Sequence, residues 1–293
     1  MKILLFGKNG QVGWELNRSL LPLGEVVALG RKDSDFSDPE SLRGICRKIM
    51  PDVIVNAAAY TNVEKAESEQ ELAHRVNAVA PGVLAEVGQS IKALMVHYST
   101  DYVFDGTAEV PYRENAEPNP LNAYGRTKND GEIAVRNACP RHLIVRTSWV
   151  YSSRGRNFVR SMIDLMNKKE VLHIVDDQIG APTWARYIAD ASTSMIGSVM
   201  NSNQASADDM FGTYHLSSSG NCSWYDLTTK IRLLLEKNGF SRPVEILPTT
   251  TEEYKIAARR PLYSVLDNEK IHRFFAVNQV NWEYALELCL AEM

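Results

Sequence analysis

The sequence predicts an α/β protein built on a doubly wound parallel sheet, with a smaller C-terminal lobe. Three observations predict this class. Short apolar runs alternate with longer stretches of helical periodicity over the first half of the chain, as in βαβ units. A glycine-rich turn directly follows the first apolar run. After Tyr151 the regular alternation loosens, which is typical of a second, smaller unit.

The apolar runs and the periodic stretches give the elements of the first half in order. Strands are predicted at residues 2–6, 25–29, 52–57, 93–99 and 142–150. Helices are predicted at residues 9–21, 39–49, 67–89 and 122–137. The segment 106–122 contains prolines at three positions, so we expect a surface loop there. A sheet of six or seven strands with helices on both faces is the most economical arrangement.

The second half mixes helices and short strands. Helices are predicted at residues 158–167, 184–199 and 224–238, strands at 171–175 and 214–217, and a mobile polar loop at 201–209. We assign residues 1–150 to a first domain, joined by later segments such as 171–190 and 213–220. Most of residues 151–293 is expected to form a substrate-binding lobe.

The composition limits the possible partners. The formal net charge is −4 at pH 7 and the sequence pI is about 5.9, so no basic surface favours a nucleic acid. No apolar run approaches the roughly 18–20 residues that cross a bilayer, and we expect a cytoplasmic protein without a membrane partner. The four cysteines are far apart and lack CxxC spacing, which predicts reduced, structural thiols and no metal site.

A glycine motif, GKNGQVG at residues 7–13, follows the first predicted strand and opens the first predicted helix. Glycines in this context form a tight turn, let backbone N–H groups approach a pyrophosphate and pack the helix against the sheet. We therefore predict that Gly7, Gly10, Gln11, Val12 and Gly13 bind a dinucleotide, as in a Rossmann-like NAD(P)-binding domain. An ordinary glycine-rich turn is the alternative.

The end of the second predicted strand bears on the choice between NADH and NADPH. NAD-specific proteins place a carboxylate there to accept from the ribose 2′-hydroxyl, whereas this chain reads Gly30, Arg31, Lys32. The guanidinium of Arg31 suits a 2′-phosphate, so we expect NADPH to be used at least as well as NADH. Asp35 and Phe36 are expected beside the adenine. The alternative is that Arg31 and Lys32 are solvated surface charges.

Tyr124 and Lys128 lie four residues apart near the start of a predicted helix, and therefore on one face. A free tyrosine has a pKa near 10, and a neighbouring ammonium favours its phenolate, which suits it to general acid–base catalysis. Thr100 follows a predicted strand, and ligands gather at the carboxyl ends of such strands. We predict Tyr124, Lys128 and Thr100 as the catalytic set, with Lys128 also on the nicotinamide ribose and Thr100 on the substrate oxygen.

These residues resemble those of the extended short-chain dehydrogenase/reductase family, in particular its reductases of dTDP-linked 4-keto-deoxysugars. The resemblance covers nearly the whole chain. It rests on the phrases GKNGQVGWE (7–15), DVIVNAAAYT (52–61), STDYVFDG (99–106), PLNAYGRTK (120–128), RTSWVY (146–151), DQIGAPT (177–183) and ARRPLYS (258–264). It implies an NAD(P)H-dependent enzyme that reduces dTDP-4-dehydro-6-deoxy-L-mannose at C4 to dTDP-L-rhamnose, for surface polysaccharide, as a monomer or homodimer.

The resemblance also implies roles for individual residues. Tyr124 is expected to protonate the C4 carbonyl oxygen, supported by Lys128 and Thr100. Further cofactor contacts are expected from Ala59, Tyr60, Thr61 and Tyr98, and substrate contacts from Asp101, Trp149 and Arg260. Trp149 is expected to lay an apolar face against the sugar. Arg259 and Arg260 could grip the substrate diphosphate, the alternative for both being ordinary surface arginines.

One position departs from the family pattern. Some members are dimers bridged by Mg²⁺ through carboxylates, one in the helix after the glycine motif and another shortly after GAPT. Glu15 matches the first, but Arg186 stands where the second carboxylate is expected. A cation at that position repels Mg²⁺. We therefore expect no bridging metal in this chain.

Three alternatives share the fold. In nucleotide-sugar dehydratases an Asp-Glu pair follows the active-site threonine. Here Asp101 is followed by Tyr102, so the chain lacks the carboxylate that would serve as the base of a dehydratase. Epimerases of this group favour an acidic residue after the second strand, and Arg31 argues against them. A non-catalytic, NADP-binding regulatory subunit stays open, because fold alone does not settle function.

Overall fold

A computed structural model describes residues 1–254 and 257–293 of the chain. The strands are β1 (Lys2–Phe6), β2 (Glu25–Leu29), β3 (Val53–Asn56), β4 (Leu94–Thr100), β5 (His142–Thr147), β6 (Val150–Tyr151), β7 (Val171–Val175), β8 (Ile179–Gly180), β9 (Thr183–Trp184), β10 (Gly212–His215), β11 (Cys222–Ser223) and β12 (Glu245–Thr249). Six of them form one parallel sheet in the order β10-β5-β4-β3-β1-β2. The predicted α/β class with a doubly wound sheet is confirmed.

Helices cover both faces of this sheet and build the rest of the molecule. They are α1 (Gln11–Ser19), α2 (Pro39–Ile49), α3 (Val63–Ser68), α4 (Gln70–His74), α5 (Ala80–Ser90), α6 (Ala123–Ala138), α7 (Phe158–Met166), α8 (Ala185–Asn201), α9 (Gln204–Asp208), α10 (Trp224–Lys237), α11 (Thr251–Tyr254), α12 (Glu269–Phe275) and α13 (Trp282–Leu290). Among the described residues, no helix is long and apolar enough to cross a membrane.

The strand order places a switch point between β1 and β3. The chain leaves β1 toward β2 on one side and returns to β3 on the other side. Connections that leave in opposite directions open a crevice at the carboxyl ends of the strands, where ligands of such sheets bind. The glycine motif follows β1 and the segment 57–61 follows β3, so both border this crevice.

The apolar side chains form separate cores. Strands β1, β3, β4 and β5 direct alternate side chains to opposite faces, where they meet α1 and α8 on one side and α2 and α5 on the other. A further cluster joins α7, α10 and α13 away from the sheet. Because β10 pairs with β5 and α8 packs on α1, we propose that both belong with residues 1–150 to the cofactor-binding part.

Three segments differ from the sequence prediction. The predicted helix 67–89 is interrupted by a π-helical turn at Arg75–Val79, which carries the buried Asn77. The predicted strand 142–150 breaks at Trp149, whose φ is +45°, leaving β5 and the short β6. The predicted mobile loop 201–209 contains α9, because the side chain of Asn203 caps it at Ser206 N.

Candidate active site

A cavity of about 520 Å³ lies at the switch point of the sheet. It is lined by residues of the glycine motif, the end of β2, the segment after β3, and α6. Fourteen positions were expected to contact the cofactor, and those that line this cavity are Gly7, Gly10, Gln11, Val12, Arg31, Asp35, Phe36, Ala59, Tyr60, Thr61, Tyr98, Tyr124 and Lys128. The fold therefore brings distant segments to one crevice of the size that suits a cofactor.

The fourteenth, Gly13, does not line the cavity. It permits the close approach of α1 to the turn, because a Cβ there would lie 2.0 Å from the carbonyl oxygen of Gly7. Gly7 itself has a φ of +87°, and a Cβ on it would come within 2.7 Å of the Ala57 backbone. Each of these two glycines thus serves the tight turn and the packing of the helix.

At the end of β2, the carboxylates are engaged by neighbouring residues, whereas Arg31 faces the cavity. Asp33 accepts from the backbone N–H of Gly30 at 2.9 Å and pairs with the Lys8 ammonium at 2.9 Å, so this carboxylate is already engaged. Asp35 accepts from the side-chain hydroxyl and backbone N–H of Ser37, which lowers its pKa. Arg31 is exposed and lines the cavity, leaving its guanidinium accessible to an anion.

Phe36 is largely a core residue. Only 6% of it is exposed, and its ring packs edge-on against Phe6 at 5.5 Å between centroids. Tyr60, on the other side of the crevice, is held by Asn77: its backbone N–H donates to Asn77 Oδ1 at 2.8 Å, and its carbonyl accepts from Asn77 Nδ2 at 3.1 Å. The π-helical turn therefore positions the segment after β3, a contact that the sequence did not predict.

Helix α6 positions Tyr124 one residue after its start. The side chain of Asn122 caps the helix by accepting from Gly125 N at 2.8 Å. A Cβ on Gly125 would lie 2.1 Å from the carbonyl oxygen of Tyr102, so this helix turn packs directly on the segment after β4. Burial raises the pKa of Tyr124 to about 12, against an opposing contact with Thr100. Tyr124 is therefore a neutral phenol at physiological pH and is suited to donate a proton.

The Lys128 ammonium was expected to favour the phenolate form of Tyr124. Its Nζ donates to the carbonyl of Tyr98 at 2.6 Å and lies 3.4 Å from Nε2 of His97. Burial lowers the pKa of Lys128 to about 8, although Glu132 opposes this shift. Burial dominates the pKa of both groups in this structure, and stabilisation of a Tyr124 phenolate by the lysine stays a prediction.

Thr100 and Asp101 form a buried pair at the end of β4. The hydroxyl of Thr100 donates to Asp101 Oδ1 at 3.0 Å, and Ser148 donates to Asp101 Oδ2 at 2.9 Å. Burial raises the pKa of Asp101 to about 6, although these hydrogen bonds oppose the shift. Asp101 is only 2% exposed, so its carboxylate is held mainly by the hydroxyl groups of neighbouring residues.

A second cavity, of about 700 Å³, adjoins the first. Both are bordered by Gln11, Thr61, Ser99, Tyr124, Thr147, Val150 and Arg156. The second extends between α3, α7 and α10 in the lobe, and the predicted substrate residues Thr100, Asp101, Trp149 and Arg260 all line it. Tyr124 thus stands where two cavities meet, the position required of a group that acts between a cofactor and a substrate.

Other residues cover part of the Trp149 indole. Its indole stacks on that of Trp224, with centroids 3.4 Å apart and planes within 3°. Gly180 also lies against it, since a Cβ on this glycine would be 2.4 Å from Trp149 Cε2. One face of the Trp149 indole is therefore paired with Trp224, both indoles line the second cavity, and the contact of Trp149 with a sugar stays a prediction.

The two adjacent arginines have different surroundings. Arg260 lines the second cavity and donates through Nη2 to Glu64 at 3.1 Å, while Glu64 also accepts from Ala258 N at 3.1 Å. Arg259 is exposed and is not among the residues that line either cavity. The alternative of a surface arginine therefore fits Arg259, whereas Arg260 is available to an anionic ligand.

Sequence reasoning missed several lining residues. Arg156 borders both cavities, and His173, Gln178 and Trp224 line the second. Gln178 accepts from Trp224 Nε1 at 3.1 Å, so these two fix each other. Gln178 lies within the phrase DQIGAPT and could have been found there. Arg156, His173 and Trp224 lie in segments whose contact with the site depends on folding of the lobe.

The carboxylates of Glu15 and Glu292, near the place where a bridging Mg²⁺ would bind, instead accept hydrogen bonds from Arg186. Arg186 donates through Nε to Glu15 at 3.3 Å and through Nη1 to Glu292. Arg18 adds a second cation 3.8 Å from Glu15. Within residues 1–254 and 257–293, no group of three or more His, Cys, Asp or Glu side chains is arranged to hold a metal ion. The residues present do not fit Mg²⁺ at this place.

Comparison with known proteins assigns the family. The family model described as the RmlD substrate binding domain matches residues 1–293. The chain belongs to this family. It is 45% identical to a dTDP-4-dehydrorhamnose reductase of Burkholderia thailandensis, over 100% of this chain and 99% of that protein. The predicted membership of the extended short-chain dehydrogenase/reductases, in this branch, is confirmed.

Solved structures of family members match the whole fold. The dTDP-4-dehydrorhamnose reductase of Clostridium acetobutylicum superimposes with a TM-score of 0.91 at 36% identity, covering 100% of both chains. A Bacillus anthracis dTDP-4-dehydrorhamnose reductase in complex with NADP gives a TM-score of 0.88 at 35% identity, covering 100% of this chain and 99% of that one. The family thus includes an NADP-bound reductase with the same architecture.

Proposed function

We propose that this chain is an NADPH-dependent oxidoreductase that reduces the C4 keto group of dTDP-4-dehydro-6-deoxy-L-mannose to dTDP-L-rhamnose, the last step of dTDP-rhamnose synthesis. The observation that carries this proposal is the position of Tyr124 at the junction of two cavities in a member of this reductase family. One cavity lies at the switch point, where dinucleotides bind, and the other extends into the lobe.

NADPH supplies a hydride when it is bound. The residues that would hold it are those lining the first cavity, notably Gly10, Gln11 and Val12 at the start of α1, and Arg31 at the end of β2. The helix N-terminus favours a pyrophosphate and the guanidinium favours a 2′-phosphate. Tyr60, Tyr98 and Lys128 line the same cavity, as does Tyr124.

The chain's own part in the reaction is the proton transfer. Tyr124 is a phenol at neutral pH because its pKa is raised, so it can donate to an oxygen that gains negative charge. Thr100, held by Asp101, lies beside it on the wall of the second cavity. Arg260 and Arg156 supply positive charge in that cavity, which suits the diphosphate of a sugar nucleotide.

The decisive experiment follows NADPH oxidation by absorbance, with the purified full-length chain and the dTDP-linked 4-keto sugar. Substrate-dependent oxidation and formation of dTDP-L-rhamnose are the expected results. Parallel reactions with the UDP-linked sugar and with NADH test the nucleotide and the cofactor. Folded protein that binds NADPH but shows no substrate-dependent oxidation would instead support a regulatory, non-catalytic role.

Arg31 gives a test of the cofactor preference. In Arg31→Glu, a 2′-phosphate would meet a carboxylate instead of a guanidinium, so we expect the KM for NADPH to rise about tenfold or more. The KM for NADH should change little, because NADH lacks that phosphate. Lys32→Glu makes the same charge change at an exposed neighbour that does not line the cavity, and it serves as the matched control. Equal effects of the two variants would argue against a specific contact.

We propose further that Arg186 takes the place of a bridging cation. In Arg186→Glu, three carboxylates would face one another without the Arg186 guanidinium between them, as in a divalent-metal site. Millimolar Mg²⁺ is therefore expected to raise the thermal stability of this variant and to leave that of the wild type unchanged. The measurement is Tm with and without MgCl₂, with Arg18→Glu as the control. A Mg²⁺-dependent rise in the wild type would contradict the proposal.

The remaining expectations rest on composition and burial. All four cysteines are free and buried, which suits a reducing compartment and supports a cytoplasmic enzyme. The net charge of −4 supports the absence of a nucleic-acid partner. We propose a monomer or a homodimer whose assembly does not require Mg²⁺.

A further inference from the structure

The surroundings of the Lys128 amine contain a histidine that the proposed chemistry does not use. His97 lies on β4 and is fully buried, as is its neighbour Asn56 at the end of β3. Asn56 Nδ2 is 3.1 Å from His97 Nδ1, and Lys128 Nζ is 3.4 Å from His97 Nε2. Asn56 on β3 thus contacts His97 on β4, and His97 in turn contacts the Lys128 amine.

The backbone decides which way the Asn56 amide faces. The N–H of Ala58 donates to Asn56 Oδ1 at 3.1 Å, so the amide oxygen is directed to the backbone and the NH₂ group to the histidine. An NH₂ group can only donate, so Nδ1 of His97 must accept. Burial strongly lowers the pKa of His97, which keeps the ring neutral. Its single ring proton is then on Nε2.

This tautomer has a consequence for Lys128. The Nε2–H group points toward the lysine nitrogen, which already donates to the carbonyl of Tyr98 at 2.6 Å. A neutral amine has a lone pair that can accept from Nε2–H, whereas an ammonium has only N–H groups and opposes it. We propose that His97, oriented by Asn56, is a positioning residue for Lys128 that presents a ring N–H to the lysine nitrogen and destabilises the ammonium relative to the amine.

The other groups around Lys128 do not supply this effect. Among the described residues, the titratable groups that interact with Lys128 are His97 on β4 and Glu132 on its own helix, and Tyr124 lies about one helical turn before it. Glu132 favours the ammonium, but its carboxylate is shared between Arg146 and Arg136. Burial already lowers the pKa of Lys128 to about 8, and the effect proposed for His97 adds to that of burial. At neutral pH the ammonium still predominates, but a minor fraction of Lys128 is the neutral amine.

The first test observes the tautomer directly and does not depend on the proposed reductase function. In the full-length protein with nitrogen-labelled histidine, the nitrogen shifts are expected to place the ring proton of His97 on Nε2. His215, another buried histidine of the same sheet, is the internal control. Its Nδ1 lies 3.0 Å from the Tyr112 carbonyl, which can only accept, so its proton is expected on Nδ1. A ring proton on Nδ1 of His97 overturns the proposal.

The second test measures the lysine and rests on the proposed function only in its kinetic part. In His97→Gln, an amide oxygen can face the ammonium, so the titration of Lys128 followed by NMR should move upward by about one pH unit. The alkaline limb of the kcat profile should move with it. His215→Gln, a matched buried replacement, should leave both unchanged. An unmoved lysine titration in folded His97→Gln overturns the proposal, whereas a moved titration without any turnover rejects only the reductase function.

If His97→Gln fails to fold, Asn56→Ala gives the same information. Without the amide donor, Nδ1 no longer has to accept, and Nε2 becomes free to accept from the Lys128 ammonium. The tautomer is then expected to change and the lysine titration to move upward. A proton that stays on Nε2 in this variant, with an unmoved titration, contradicts the role given to Asn56.

Discussion

Tyr124→Phe is expected to bind NADPH as the wild type does and to lose turnover by about 10²- to 10⁴-fold. The replacement removes only the hydroxyl, which stands at the junction of the two cavities and is the proposed proton donor. The ring and its edge-on contact with Tyr102 at 5.9 Å remain. The measurements are kcat from NADPH oxidation and Kd from NADPH fluorescence.

Tyr112→Phe is the matched control for this variant. Its hydroxyl donates to Asp105 at 3.0 Å in a buried site, and Tyr112 is not among the residues lining the two cavities of the active site. Its kcat is expected to match the wild type, with some loss of stability. Tyr124→Phe with near-normal kcat would remove Tyr124 from the proton-donor role, and a large loss in both variants would indicate a general structural effect.

Arg146→Met is expected to reduce the free energy of unfolding by roughly 3–5 kcal/mol, which corresponds to a fall of about 10 °C in Tm. Arg146 and Glu132 are almost fully buried, and two hydrogen bonds of 2.9 and 2.7 Å join them below the catalytic face of α6. Removing the guanidinium leaves a buried carboxylate without its main partner. Thermal and denaturant unfolding measure the loss.

Two further variants test whether the stability comes from the buried Arg146–Glu132 pair. Arg136→Met removes the other, half-exposed partner of Glu132 and should cost less than about 1 kcal/mol. Glu132→Leu combined with Arg146→Met removes both buried charges and should recover much of the loss. Equal losses in Arg136→Met and Arg146→Met would contradict the assignment of the stability to the buried pair.

The pair also predicts a dependence on pH. Burial would raise the pKa of Glu132, but the hydrogen bonds and charge of Arg146 outweigh this and hold it below its ordinary value of 4.5. A carboxyl whose pKa is lowered by folding stabilises the protein above its unfolded pKa, and this contribution is lost as the pH falls through the folded value. The difference between wild type and Arg146→Met should therefore be full at neutral pH and narrow below about pH 4.5.

The sequence predicted the local features of the site well. The apolar runs predicted five central strands within about three residues at each end. The glycine motif and the spacing of Tyr124 and Lys128 pointed to the crevice at which the structure brings thirteen of the fourteen expected cofactor positions together. These features depend on side-chain periodicity and on the residue preferences of turns. Both involve residues that are close in sequence, so they can be predicted from the sequence.

Contacts between distant segments could not be predicted in the same way. Asn77, in the π-helical turn, accepts from the backbone N–H of Tyr60, and the indole of Trp149 stacks on that of Trp224. Lys128 lies beside His97 and the backbone carbonyl of Tyr98, contacts that the sequence did not predict. In each case the partner comes from another strand or from the lobe, and no local pattern encodes such pairing.

By itself, the sequence determined the α/β class, the glycine-rich turn after the first strand, the order of the proposed catalytic residues and the arginine in place of a carboxylate at position 186. Only the tertiary structure decided which charges meet. Arg186 lies between Glu15 and Glu292, and Glu132 is neutralised by Arg146. The physical reason is that backbone propensity depends on near neighbours, whereas the ionisation and orientation of a buried side chain depend on groups that folding brings within a few ångströms.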